Sequence, residues 1–390
     1  MKILFCGDYI VQGNPKVNDK SIFGNFLKII EGSDIAIYNQ EHPVSFSDEV
    51  YTTKKHGTTD GCFSSALKPI IEAGFNYVSL GNNHIFNKGV SGLNDTIDFF
   101  KQHNIKTFGA GRNILEAKRI LYVTHKDIKT AFLNFSENEY NTATRYHGGA
   151  NPLNIIDNVN QIKEAKSNAD FVFVIIHGGL EYCPYPTPRM VKHLRYYVDN
   201  GASAIICHHA HIVSGYEVYK DCPIFYGIGN FIPAKFVKQF RLDHEASKSF
   251  PIQFEVNNNK LSFQGYPLFF SYDKYCLEYL KGNELENFNK RQKEINELLL
   301  NENKLKEKIY NEYLSIERRS YYFTLFTRSN YFLFKVFRKL RLLSIYHRYI
   351  FWKMRLNKKN SALWNLFRCE THNDVLDLIY EKHIDTYKND

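Results

Sequence analysis

Short hydrophobic runs in the first 230 residues each end in side chains that can hold a divalent ion. Asp8 follows the run at 2–6, and Asn39 and Glu41 follow 34–38. Asn82, Asn83 and His84 follow 77–81, and His177 follows 171–176. His208, His209 and His211 follow 204–207, and Asn230 follows 224–228. Carboxylate, amide oxygen and imidazole together form the donor set of hard and borderline divalent metals. A lone histidine is more often a solvated or core residue, but His-His-x-His directly after a buried run, with His84 and His177 at other run ends, is hard to produce by packing. Asn39 and Glu41 flank Gln40, so in extended chain both leave one face. That suits a ligand pair, or equally a structural amide beside one catalytic carboxylate. His84, beside the neutral donor Asn83, can stay unligated and serve as general acid. There is no G-x-S-x-G, no Walker A and no Rossmann glycine pattern, so nucleophilic serine and nucleotide chemistry find no support.

These groups need elements to carry them. Each run is the length of a strand, and a strand ending in a polar residue delivers it to the carboxyl edge of a sheet, where α/β folds bind ligands. Helix signals alternate with the runs. An amphipathic helix is expected over 22–30, and another from Ser65 with Pro69 in its first turn and Gly74 just past its end. Further helices are expected over 93–102 and 155–167, and one capped by Thr187 with Pro188 behind it and closed by Gly201. Beyond Gly215 the pattern turns to strands at 216–219, 224–227, 252–256 and 261–264, with a hairpin turn at 257–260. Early βα units and late hairpins imply a mixed-sheet, layered α/β sandwich over 1–273. A helical C-terminal region is expected over 274–390.

The chain has 390 residues, 44% of them hydrophobic and 15% aromatic, enough for one large domain and an appendage. Its seven cysteines form no C-x-x-C pair, which reads as reduced thiols in the cytoplasm. Residues 2–6 are too short for the core of a secretory signal, and no run of ~18 apolar residues suggests a membrane span. Of the 50 Lys and Arg, 13 fall within 318–368, a stretch with no Asp or Glu; the rest of the chain holds 37 basic against 41 acidic residues. The net charge of +9 therefore belongs to one segment, which implies a second surface with its own partner.

Gly7-Asp8, Asn39-Gln40-Glu41, AGFNYVSLGNNH ending at His84, HGGLEY from His177, and CHHAHIVSGYEVYKDCPIFYGIGNF from Cys207 occur in this order. The succession, over about residues 1–235, resembles the bacterial capsule-synthesis (poly-γ-glutamate capsule) protein family of the calcineurin-like metallophosphoesterase superfamily. The resemblance implies a four-layer α/β/β/α fold with a centre of two divalent ions, Mn, Zn or Fe. It makes Asp8 and His211 ligands of the first ion and Asn83, His177 and His209 ligands of the second, with Glu41 or Asn39 bridging. His84 matches the histidine that protonates the leaving group, and Glu181 matches the family's H-x-G-x-E-Y motif, giving the two expected catalytic residues. His208 is the extra histidine that the family places before H-x-H, and it is assigned no role. The superfamily's Asp-x-His is here Asp8-Tyr9-Ile10, so the first ion lacks its histidine.

The expected function is a metal-dependent hydrolase acting through a metal-bound hydroxide on a polymer or phosphoester substrate in cell-surface polymer biosynthesis. The rivals are a non-catalytic assembly factor of a polymer synthase and a generic phosphodiesterase or nuclease. Residues 318–368, with 14 aromatics among the basic residues, suit a packed helical subdomain, an anionic membrane surface at the inner face of the membrane, or, last, nucleic acid.

Overall fold

Alternate side chains of the first strand, β1 (Lys2–Tyr9), leave in opposite directions, and both directions are apolar. Ile3 and Phe5 enter one core; Leu4 and Cys6 enter another. A strand buried on both faces lies between two covering layers. The computed structural model describes residues 1–11, 17–46, 61–138, 141–233, 243–257 and 260–309. The strands that matter to the site follow as β2 (Ile35–Gln40), β3 (Tyr77–Ser79), β4 (Lys106–Phe108), β5 (Leu121–His125), β6 (Ile128–Ser136) and β7 (Phe171–His177). After them come β8 (Ala204–His208), β9 (Tyr216–Tyr219), β10 (Cys222–Phe225), β11 (Asn230–Ile232), β12 (Ile252–Asn257) and β13 (Lys260–Gly265).

They form two mixed sheets within an α/β architecture. The first has the order β13-β12-β1-β2-β3-β4, with β11 also paired to β1; the second runs β9-β10-β8-β7-β6-β5. β1, β2, β3, β4 and β11 are parallel, as are β6, β7, β8 and β10. Parallel pairing collects their carboxyl ends at one edge of each sheet. Ile3, Phe5, Ile35 and Ile37 of the first sheet share one core with Phe173, Ile175, Ile206 and Phe225 of the second. On the other side of β1 and β2, Leu4 and Tyr38 meet Leu93 and Phe100 of α1 (Gly89–Gln102). The helices α2 (Ile155–Asn168) and α3 (Pro188–Asp199) pack on the second sheet. Thr187 caps α3 as expected, its hydroxyl accepting from the Met190 N–H at 3.2 Å.

Where β1 reaches the site it changes neighbours. Lys2–Phe5 pairs antiparallel with β12, while Asp8 and Tyr9 pair with β11, across a register shift. A Cβ on Gly7 would stand 1.9 Å from the Gly229 carbonyl oxygen. Only glycine lets β11 come this close and turns Asp8 into the crevice.

The helix expected over 22–30 is different. Lys20–Phe26 is a 3-10 turn and only Leu27–Glu31 is α-helical. Gly24, at φ 52°, breaks the run, and a Cβ there would lie 2.3 Å from the Leu277 carbonyl oxygen. A long-range contact thus overrides the local periodicity. Residues 274–309, assigned from the sequence to the C-terminal region, belong to the compact unit Met1–Ile309. Cys276–Tyr279 pairs with Leu268–Ser271, and Phe288 of α4 (Gly282–Leu298) shares a cluster with Val213 and Leu280. Residues 310–390, including the basic stretch 318–368, lie outside the described residues. Among the described residues no helix is long and apolar enough to cross a membrane.

Candidate metal centre

The site forms where the carboxyl ends of both sheets meet, and its floor is built from carboxylates held in place by amides. Asn39, the register partner of Asp8 on β2, donates from Nδ2 to Asp8 Oδ1 at 2.7 Å and to Glu41 Oε2 at 2.8 Å. Its own oxygen accepts from Asn82 Nδ2 at 3.2 Å and Ser79 Oγ at 3.5 Å. One end of this amide therefore orients the two acids, and the other is anchored by Asn82 and Ser79. Asp8 Oδ2 also accepts the His209 backbone N–H at 3.2 Å.

Asp8, Glu41 and His177 each turn one donor atom to a common point, the three lying within 4.8 Å of one another. Glu41 is 1% exposed, and its Oε1 accepts no hydrogen bond. That oxygen stands 3.7 Å from His177 Nε2, 3.7 Å from His84 Nε2 and 3.9 Å from His211 Nε2. Leaving a buried carboxylate oxygen unpaired costs about 1–3 kcal/mol or more. Ligands that share a cation at ~2.0–2.3 Å stand roughly 3–4 Å apart. The donor set and this orphaned oxygen fit a divalent ion.

The imidazoles are held by second contacts that choose which nitrogen faces the centre. His211 Nδ1 lies 3.0 Å from Asn230 Oδ1, while Asn230 Nδ2 donates to the His211 and Ala246 carbonyls at 3.0 and 2.9 Å. With Nδ1 turned to Asn230, Nε2 is the nitrogen that faces Glu41. His177 Nε2 lies 3.0 Å from Asn83 Oδ1, and the His177 ring packs 4.9 Å from that of His209. His209 and His211 have φ of 85° and 58°, a conformation that costs about 1–3 kcal/mol at a non-glycine residue. The loop Ala210 joins is strained where it carries the site.

His84 approaches Glu41 from the loop after β3, its Nε2 3.7 Å from Oε1. Its backbone N–H donates to Asn82 Oδ1 at 3.0 Å and its Nδ1 accepts from Asn87 Nδ2 at 2.8 Å. The ring proton is thereby placed on Nε2, facing Glu41. Its ring also packs 4.9 Å from that of His42.

The charges fall into a pattern without any ion. Burial pushes Asp8 up, but the His208 and His211 imidazoles beside it outweigh burial and hold it well below the usual carboxylate range. Burial, then the neighbouring Asp8, pushes Glu41 well above its ordinary value. Burial pulls His84 down to about 4 and His209 to about 3, and lowers His177 strongly. His211 alone goes up, to about 9, because Asp8 and Glu41 overcome its burial. A cluster with one acid held low by its imidazole neighbours, one pushed toward its neutral form and three imidazoles pulled toward theirs is ready to accept positive charge.

Of the residues singled out from the sequence, Asp8, Asn39, Glu41, Asn83, His84, His177 and His211 are linked by these contacts, and His209 joins them through its ring and backbone. Glu181 is exposed. Its charge reaches Glu41 and His211, and the next residue, Tyr182, donates its N–H to the Ala210 carbonyl at 2.8 Å. Two residues were not assigned by sequence reasoning. His42 follows Glu41 directly, and that adjacency was its one signal. His208 is the register partner of His177, and its Nδ1 lies 3.1 Å from Asp8 Oδ1.

A family model described as "Bacterial capsule synthesis protein PGA_cap" matches residues 2–235. The chain is 33% identical over 236 residues to the capsule biosynthesis protein CapA of Bacillus anthracis, which covers 59% of this chain and 57% of that one. It is 30% identical over 234 residues to the PGA biosynthesis protein CapA of Bacillus subtilis strain 168, covering 59% and 61%. The chain thus spans about three fifths of the length of these relatives. The solved 5'-nucleotidase of Candida albicans SC5314 aligns with 76% of this chain and 58% of its own at 11% identity and a TM-score of 0.42, too distant to carry an argument.

Proposed function

The chain belongs to the bacterial capsule synthesis protein family PGA_cap, and from that membership we propose that it is a metal-dependent hydrolase in the making of a capsular or other cell-surface polymer. The observation that carries the hydrolase part is Glu41 Oε1, buried, without a hydrogen bond, and ringed by imidazole nitrogens. Two divalent ions (Mn, Zn or Fe) would supply Lewis acidity toward an oxygen-rich substrate. Asp8, Glu41 and His211 would hold the first; Asn83, His177 and His209, with Glu41 bridging, would hold the second. Asn39, with both amide ends committed, orients the acids. His84 presents Nε2–H to the leaving oxygen, and Glu181 sets the charge at the entrance. The same membership carries the finer reading of the fold, a four-layer α/β/β/α sandwich with a C-terminal helical appendage. The core shared by the two sheets and the helices on their outer faces support it.

The bond cleaved is a phosphoester or an amide of the γ-glutamyl type. Metal-loaded full-length protein should hydrolyse a chromogenic phosphodiester or a γ-glutamyl anilide, lose this activity in EDTA, and regain it with added Mn²⁺. Ile10 favours a second reading, a non-catalytic assembly factor of a polymer synthase, because the residue two beyond Asp8 is apolar and buried. Metal-loaded protein inert toward both substrates would select that reading.

The basic stretch 318–368 is proposed to attach the protein to an anionic membrane surface. Each Lys or Arg near such a leaflet contributes about 1 kcal/mol, and the aromatic residues add apolar insertion. Co-sedimentation with vesicles should require anionic lipid, weaken with salt, and fall in the triple variant Lys335→Glu, Arg338→Glu, Lys339→Glu. Equal sedimentation with neutral vesicles would contradict the electrostatic attachment.

A further inference from the structure

We propose that His208 supplies to the first ion the imidazole that position 10 lacks, ligating beside Asp8. The inference rests on the metal-centre reading above and adds to it a donor that no motif assigned. Ile10 lies 5% exposed in an apolar cluster with Ala210, Ile212 and Ala246. The position that would carry the histidine of Asp-x-His is therefore beside the His209–His211 loop but offers no lone pair.

His208 is positioned to replace it. In β8, Ala204 and Ile206 point into the core between the sheets, so His208, two residues on, faces the same way. It ends the strand level with His177, its register partner, which faces the centre from β7. Its ring is 3% exposed and its Nδ1 lies 3.1 Å from Asp8 Oδ1. Yet that nitrogen makes no aligned hydrogen bond. A short N···O approach lying off the N–H direction is the geometry of two ligands that share a cation, and not that of an aligned hydrogen bond. The cost of leaving a buried imidazole nitrogen unpaired is recovered when an ion joins the pair. His208 thus completes a set of Asp8, Glu41, His211 and His208 around the first ion, built from a different strand than the superfamily pattern uses.

The test uses Co²⁺ on the full-length chain. Calorimetric titration should show two ions taken up by the wild type. In His208→Gln, the affinity of one site should fall by more than about 100-fold, with the other unchanged. Loss of a partner that only orients a ligand costs about 10–100-fold, so the size separates the roles. Affinities at both sites unchanged from the wild type, or a loss below about 100-fold, would overturn the assignment while leaving the centre intact. A wild type that takes up no Co²⁺ would overturn the centre and the ligand together. The wild type also gives an answer that does not depend on how the variant folds. Its Co²⁺-loaded proton spectrum should contain a hyperfine-shifted imidazole N–H for each of His177, His208, His209 and His211. A set accounted for without His208 would overturn the proposal.

Discussion

Replacement of His84 by Asn is expected to leave the bound ions in place and to lower turnover by about 10²–10⁴-fold, the range for loss of a positioned proton donor. The geometry separates this residue from the ligands. Asn87 Nδ2 donates to its Nδ1 at 2.8 Å, which fixes the ring and leaves Nε2 as the protonated nitrogen. That nitrogen faces Glu41 Oε1 at 3.7 Å. Burial and His211 pull His84 down to about 4, so its imidazolium form is a strong acid that gives the Nε2 proton to a leaving oxygen and returns to the neutral ring held by Asn87. Asn keeps a polar group at the position and removes the transferable proton. The check pairs turnover of a chromogenic phosphodiester with the metal content of the same sample. Loss of metal along with activity would make His84 a ligand, and undiminished turnover would remove it from the mechanism.

Much of this site is legible in the sequence because the chemistry sits at strand ends. A buried run followed by Asp8, by Asn39 and Glu41, or by His177 announces both the strand and the edge to which it delivers the group. Thr187-Pro188 announces a helix start for equally local reasons. What stays hidden depends on contacts between distant residues. Gly24 reads as one more position in an amphipathic helix until the Leu277 carbonyl is found against it. Gly7 reads as part of a turn, although it is the Gly229 carbonyl that excludes a side chain there. Asn39 and Glu41 look alike as donors, and only the distances from Asn39 Nδ2 to both carboxylates show that the amide orients the acids. The sequence leaves His208 without a role beside His209 and His211, since nothing in the His-His-x-His run shows what it faces. Its approach to Asp8 joins positions that lie 200 residues apart in the chain.

The electrostatics add a reason for the centre to be filled. Glu41 is driven toward its neutral form by burial and by Asp8, and a divalent cation reverses both effects by supplying opposite charge within the same cavity. Loading should therefore release protons. The strained backbone at His209 and His211 is consistent with a loop whose conformation is maintained for the donors it carries.

The double variant His209→Ala, His211→Ala removes one imidazole from each of the two proposed ion positions at once. It leaves Asp8 and Glu41 facing each other without the charge that His211 provides. Asp8, Glu41 and His177 remain, but each proposed ion position keeps a single imidazole, His208 at the first and His177 at the second, too few nitrogen donors to hold an ion through dialysis. The most direct measurement is elemental analysis of the full-length wild type and this variant, each loaded with Mn²⁺, Zn²⁺ or Fe²⁺ and dialysed against metal-free buffer. The wild type should retain about one to two divalent ions per chain and the variant none. A wild type that emerges without divalent metal, or a variant that keeps the wild-type stoichiometry, would contradict a metal centre at this site.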